Sequence, residues 1–144
     1  SRLAFGALDF TLDIGTRFSK TGAELIYARS HLVIASRAAD IFPPVDSVYP
    51  DLADPESLRS ELNEVRGLGM FGKLAIHPNQ IDPIHEAFTP AAEDVEEAEL
   101  IVEEFEKAEK EGIASIKLND KLVDYPVYTR AKRILDLSRQ LRQG

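Results

Sequence analysis

Three times before Thr89 a short apolar run passes directly into a segment whose apolar residues recur at helical spacing. The runs are residues 2–6 around Leu3-Ala4-Phe5, then Val45-Asp46-Ser47-Val48-Tyr49, then 72–77 with Leu74-Ala75-Ile76 at its centre. A polar loop through Asp9, Asp13 and Gly15 is expected after the first run. Leu25, Ile26, Leu32, Val33 and Ala35 then predict a helix from about Lys20 to Ala39, ended by Pro43-Pro44 because proline disfavours helical geometry in the residue before it. Asp54-Pro55-Glu56 reads as an N-cap, a proline in the first turn and an early acid. The helix it opens carries Leu58, Leu62 and Val65 and stops near Gly67 and Gly69. After the third run comes a short helix holding Ile81, Ile84 and Phe88, with Pro78 suited to its first turn.

Short strands alternating with helices imply a parallel sheet. Three units do not close a barrel, since the (β/α)₈ fold needs eight and roughly 250 residues. The expected architecture is therefore α/β: the last three βα units of a (β/α)₈ TIM barrel over 1–89, then a C-terminal helical appendage with a small hairpin over 90–144. Leu3-Ala4-Phe5 has almost no lead-in, which points to the later part of a longer chain. Alone, such a piece leaves a parallel edge and an apolar barrel interior uncovered, to be completed by missing barrel strands or by a second chain.

In the appendage, Thr89-Pro90 opens a long helix to about Glu111 with Val95, Ala98, Val102 and Phe105 as its buried stripe and glutamates on its solvated face. Gly112 fits the position just past that helix. Residues 114–118 and 121–124 read as a hairpin turning at Asn119-Asp120. Val127, Ala131, Ile134, Leu135 and Leu141 define a terminal amphipathic helix over 126–142.

The chain has 144 residues with 17 basic and 25 acidic side chains, a net charge of −8. With no block of Lys and Arg to neutralise phosphates, nucleic acid is not an expected partner. No cysteine is present, so disulfides and thiolate chemistry are excluded. No apolar run approaches the ~18 residues of a membrane span, and no signal-peptide pattern opens the chain. A cytoplasmic protein without a membrane partner is expected.

Three places carry candidate chemistry. Phe5-Gly6-Ala7-Leu8-Asp9 sets a carboxylate just beyond a buried strand, where Asp9 either caps a turn or offers oxygen to a hard divalent cation such as Mg²⁺. His77-Pro78 brings a histidine to a strand tip, with Gln80 close behind, where a histidine either caps a helix or meets a ligand. Val123-Asp124-Tyr125-Pro126 offers Asp124 as the N-cap of the last helix, a role compatible with proton transfer. His31 and His85 lack paired ligand spacing, and Arg130, Lys132 and Arg133 read as solvated rather than as phosphate contacts.

Taken in order, Phe5-Gly6…Asp9, Ala28-Arg29, Asp46…Val48-Tyr49, Gly72-Lys73…Ile76-His77-Pro78…Gln80 and Val123-Asp124…Pro126 resemble the C-terminal half of the CoA-dependent lyases of the HpcH/HpaI aldolase and citrate lyase β-subunit superfamily. The resemblance covers essentially the whole chain, and I-H-P-x-Q is its most specific part. It implies a TIM barrel, usually trimeric, that uses Mg²⁺ and a CoA thioester of the citryl-, malyl- or citramalyl-CoA type. Asp9 matches the metal-binding aspartate. Asp124 matches an acid/base aspartate that the appendage carries to a neighbouring subunit. His77, Pro78 and Gln80 match the turn near the CoA moiety.

That chemistry suits the residues. Cleaving a C–C bond beta to a thioester carbonyl leaves an enolate, whose charge a metal stabilises and whose carbon an acid protonates. The family's second metal carboxylate and its substrate-binding arginine lie on earlier strands, and Arg2 and Arg17 sit in the wrong context to replace them. The polypeptide by itself is therefore expected to be inactive. The alternatives are a CoA-independent hydroxy-keto-acid aldolase of the same superfamily, whose members typically lack the V-D-x-P appendage, and a non-catalytic truncated barrel module.

Overall fold

A computed structural model describes residues 1–142, which divide into two compact units meeting at Phe88/Thr89. The first contains β1 (Arg2–Ala4), α1 (Ala7–Asp13), α2 (Ile26–Ala38), β2 (Phe42–Asp46), α3 (Pro55–Leu68), β3 (Gly72–Lys73) and α4 (Ile81–Phe88), with single 3₁₀ turns at Ala23–Leu25 and Pro78–Gln80. Its strands form one parallel sheet in the order β1-β2-β3. The expected strand–helix alternation and parallel pairing are present.

Several local expectations are corrected. The segment after β1 is a helix rather than a polar loop. Ala7 and Thr11 are buried, Phe10 packs its ring 5.5 Å from that of Phe5, and this one-sided face is enough for a helix of seven residues. Pro43-Pro44 does not end α2. That helix stops earlier, where Asp40 adopts a left-handed φ of 52° and Ile41 donates its N–H to the Ser36 carbonyl at 3.0 Å. Both prolines lie inside β2, at a register shift opposite Arg2–Ala4 where the missing N–H groups are tolerated. The expected strand over 72–77 shortens to two residues. Leu74 still donates to the Asp46 carbonyl at 3.0 Å, but Leu74 and Ile76 are 42% and 52% exposed, not buried.

Asp54 caps α3 as its sequence predicts, accepting from the Ser57 N–H at 3.1 Å and the Ser57 hydroxyl at 2.7 Å. Gly69 closes the helix at a φ of 99°, and a Cβ there would meet Val33 Cγ1 at 3.0 Å. Lys20 donates to Asp54 at 2.7 Å, tying the segment before α2 to the start of α3. The Lys20 ammonium first, and then the Ser57 hydroxyl and N–H, hold the Asp54 carboxyl at about 2. A carboxyl depressed in the native state stabilises it above the unfolded value and loses that contribution as pH falls through the native one. Stability is thus expected to fall between pH 3.8 and about 2, and Asp54→Ala to flatten this acid limb in urea melts taken across that window.

Two apolar clusters fill the first unit. Phe5, Ala7 and Leu25 pack with Phe10, Phe18, Ala28 and Leu32, and Tyr49, Leu58, Leu62 and Ile84 pack with Ala87 and Phe88. At the amino ends of the strands the Arg2 guanidinium lies 3.9 Å from the Phe71 ring centroid.

The second unit contains α5 (Ala92–Lys110), β4 (Ile116–Leu118), β5 (Lys121–Val123) and α6 (Tyr125–Arg142). Val95, Ala98, Ala131 and Leu135 form the seam between the two helices. Phe105 packs its ring 4.8 Å from Tyr128 and 5.1 Å from Tyr125. The hairpin β4–β5 turns at Asn119 (φ 47°) and Asp120 (φ 61°), both left-handed as a two-residue loop of this hand requires. Gly112 (φ 79°) follows α5. Among the described residues no helix is long and apolar enough to cross a membrane.

Candidate functional site

The carboxyl ends of three parallel strands lie side by side, and the segments leaving them are laced together by hydrogen bonds. Ala7 donates its N–H to Ser47 Oγ at 3.0 Å, joining the segment after β1 to the end of β2. Gln80 Nε2 donates to the Tyr49 carbonyl at 2.9 Å, joining the turn after β3 to the loop after β2. Ligands meet α/β sheets at this edge, because the loops there are free to vary while the strands hold them.

Beneath this edge lies a buried group of four charges. Asp46 on β2 accepts from Arg29 Nε at 2.9 Å and Arg29 Nη2 at 3.0 Å, a two-point fork from α2. Lys73 on β3 donates to the same carboxylate at 2.6 Å and also to Glu61 on α3. Arg29 Nη2 stands 3.3 Å from Glu61 Oε1. The side chains of Arg29, Asp46 and Lys73 are 0% exposed, so two cations and two anions balance without water. Arg29 Nη1 is buried without a hydrogen bond, and Gly22 (φ 61°) leaves room for it, since a Cβ there would come within 3.1 Å.

Sequence reasoning named Arg29, Asp46 and Lys73 only as motif letters and did not see this network; Glu61 it missed altogether. A signal existed in the helices. Arg29 lies between Leu25 and Leu32 on the packed side of its helix, and Glu61 continues the stripe of Leu58, Leu62 and Val65, so each puts a charge beside apolar residues. Nothing local says which opposite charges those faces meet.

Asp9 sits in the first turn of α1, exposed, and its carboxylate has no hydrogen-bond or ion-pair partner among the described residues. Gly6 leaves space beside it, with Asp9 Oδ2 3.6 Å from where a Cβ would stand. An unpaired exposed carboxylate at the end of β1 is chemically fit to give one oxygen to a hard cation. Among the described residues no three His, Cys, Asp or Glu side chains gather to hold a metal ion, so Asp9 does not form a complete metal site with its neighbours.

His77 is exposed and caps the 3₁₀ turn, its Nδ1 accepting from the Asn79 N–H at 3.2 Å, with Pro78 in the first position. Gln80, by contrast, is buried, and its amide is committed to backbone: Oε1 accepts from the Ile76 N–H at 3.0 Å while Nε2 holds Tyr49.

In the second unit Asp124 is half-buried and caps α6, its Oδ1 accepting from the Val127 N–H at 3.2 Å. Tyr125 and Tyr128 donate to Glu109 at 2.6 Å and Glu106 at 2.8 Å, fixing the first turn of α6 against α5. These carboxylate partners raise both phenols above their ordinary range.

Known proteins place this chain. The citrate lyase subunit beta of Haemophilus influenzae is 37% identical over 134 residues, covering 93% of this chain and 46% of its own length. The mitochondrial citramalyl-CoA lyase of Mus musculus is 30% identical over 141 residues, 98% of this chain and 41% of its own length. The chain thus spans less than half the length of these relatives. The crystal structure of CitE from Mycobacterium tuberculosis with magnesium, acetoacetate and coenzyme A superposes over 94% of this chain and 51% of its own, with a TM-score of 0.77 and 24% identity. The model of the HpcH/HpaI aldolase/citrate lyase family matches residues 1–78, and the chain belongs to that family.

Proposed function

We propose that this chain is the C-terminal half of a Mg²⁺-dependent carbon–carbon lyase acting on a β-hydroxyacyl-CoA of the citryl-, malyl- or citramalyl-CoA type. In this reading residues 1–89 are the last three βα units of a TIM barrel, and 90–144 form an appendage serving as lid and oligomer contact in a cytoplasmic enzyme. The observation that carries it is the position of Asp9 and His77: each follows the carboxyl end of a strand in one parallel sheet, where barrel enzymes gather their catalytic groups.

Asp9 would give one oxygen to the metal, with the others coming from outside this chain. Bound there, Mg²⁺ supplies Lewis-acid stabilisation of charge on oxygen. His77 and Pro78 border the CoA thioester. Asp124, delivered from a neighbouring subunit of a trimer, acts on the proton. As the C–C bond breaks, the β-hydroxyl would yield its proton to a base outside this chain and become the carbonyl of the keto acid. The electron pair of the broken bond would stay with the thioester fragment as an enolate, and the Asp124 carboxyl would give its proton to that carbon to complete acetyl-CoA. The half-buried setting of Asp124 and its single capping bond, which leaves the second oxygen for chemistry, support this role.

The test is turnover by the full-length protein. Acetyl-CoA is expected from at least one of the three acyl-CoA substrates with MgCl₂ present, and not after chelation. Melting should also rise with added CoA, by mass action on the native state. Pyruvate release from a CoA-free hydroxy-keto acid, without a CoA shift, would replace this reading with the aldolase one. Silence in every assay would favour a non-catalytic module.

A further inference from the structure

The turn over 74–80 is held almost without apolar packing, since Leu74 and Ile76 are exposed and His77, Pro78 and Asn79 stand in solvent. Hydrogen bonds hold it instead. Leu74 is fastened to the Asp46 carbonyl, the Gln80 N–H to the His77 carbonyl at 3.0 Å, and the Gln80 side chain closes both ends. Its Oε1 takes the Ile76 N–H from within the turn, and its Nε2 reaches Tyr49 across the neighbouring loop. Tyr49 is 2% exposed and set in the cluster of Leu58, Leu62 and Ile84, so Gln80 links the turn to rigid core. Gln80 is itself 2% exposed and turned away from any ligand at the surface.

The consequence falls on His77. An imidazole Nδ1 that accepts the Asn79 N–H carries its lone pair there, so the ring proton sits on Nε2. That bond forms only while the turn keeps the Asn79 N–H within reach of Nδ1. We propose that Gln80 is a positioning residue rather than a CoA ligand. It fixes the 74–80 turn so that His77 presents a neutral Nε2–H donor to an acceptor oxygen of the acyl-CoA. The assignment of the acyl-CoA rests on the lyase reading above; the positioning of His77 does not.

The test pairs a spectroscopic and a kinetic readout on the full-length protein. Long-range ¹H–¹⁵N spectra of ¹⁵N-histidine-labelled protein at pH 8, with His77 assigned by its loss in His77→Gln, should show the Nε2–H tautomer. Gln80→Met removes both amide bonds at similar volume. It should give His77 signals averaged between tautomers and a KM for the CoA thioester raised about tenfold, the loss of one hydrogen-bonded constraint. The change in kcat should stay below about threefold. Gln80→Glu keeps the acceptor for Ile76 but sets a carboxylate oxygen against the Tyr49 carbonyl, so it should disturb both readouts at least as much as Gln80→Met, and a cooperative urea melt of each variant guards against misfolding. A His77 tautomer and KM unchanged in both variants, with CoA bound normally, would overturn the proposal. A tautomer that shifts in Gln80→Met while wild type ignores CoA would sustain the positioning and overturn the acyl-CoA reading.

Discussion

Lys73→Met is expected to destabilise the chain by about 3–5 kcal/mol, the cost of breaking a buried ion network by removing one partner. The hydrophobic part of the change is small, because methionine fills much of the lysine stem. The electrostatic part is large. Asp46 and Glu61 would remain at 0% and 3% side-chain exposure with only the Arg29 guanidinium between them, one buried cation against two buried anions. The urea midpoint should fall with no change in the slope, since the surface exposed on unfolding is nearly the same. Lys73→Met combined with Glu61→Gln restores charge balance and leaves the Arg29–Asp46 fork intact. The double variant is therefore expected to be more stable than Lys73→Met alone, the signature of coupled neighbours rather than of independent losses. A single-variant loss below about 1 kcal/mol, or additive effects, would mean that the network contributes geometry without stability.

That network also marks the limit of what the residues reveal before folding. Apart from α1, the order of elements was legible because its signals are local: Asp54-Pro55 announces α3, Asn119-Asp120 the hairpin, and Gly69 and Gly112 the ends of helices. The family resemblance was legible for the same reason, being an ordered set of short motifs. Less visible were features whose cause lies across the fold. Asp40 ends α2 where glycine would be the usual sign. Pro43-Pro44 sits within β2 because a register shift opposite β1 removes the need for its N–H groups. The run Leu74-Ala75-Ile76 reads as a buried strand, yet the ladder ends at Lys73 and the run lies exposed. At the candidate site, Asp9 and His77 both lie beyond strand carboxyl ends, but Asp9 stands in the first turn of α1 rather than in a loop and His77 follows β3 after an exposed run rather than at its tip. The inward turn of Gln80 toward Tyr49 depends on a neighbouring loop that no local pattern describes.

Asp124→Asn in the full-length enzyme should lower kcat by about 10²–10⁴, the usual contribution of a positioned acid or base, with little change in KM. Asparagine retains an oxygen to accept the Val127 N–H, so the cap of α6 and the fold of the second unit survive, and the loss reports on proton transfer. Asp9→Asn should also abolish most turnover, through a weakened metal site, and be partly relieved by higher MgCl₂. Mixing the two inactive variants then separates arrangements that neither reveals alone. If Asp124 acts on the next subunit of a closed ring, a site is whole when an intact Asp9 meets an intact Asp124 from its neighbour. Random reassembly of equal amounts then returns about a quarter of the wild-type rate. If each subunit uses its own Asp124, every site carries one defect and the mixture stays as inactive as its components. Wild-type turnover in Asp124→Asn itself would remove this aspartate from the chemistry and leave it the cap of α6 alone.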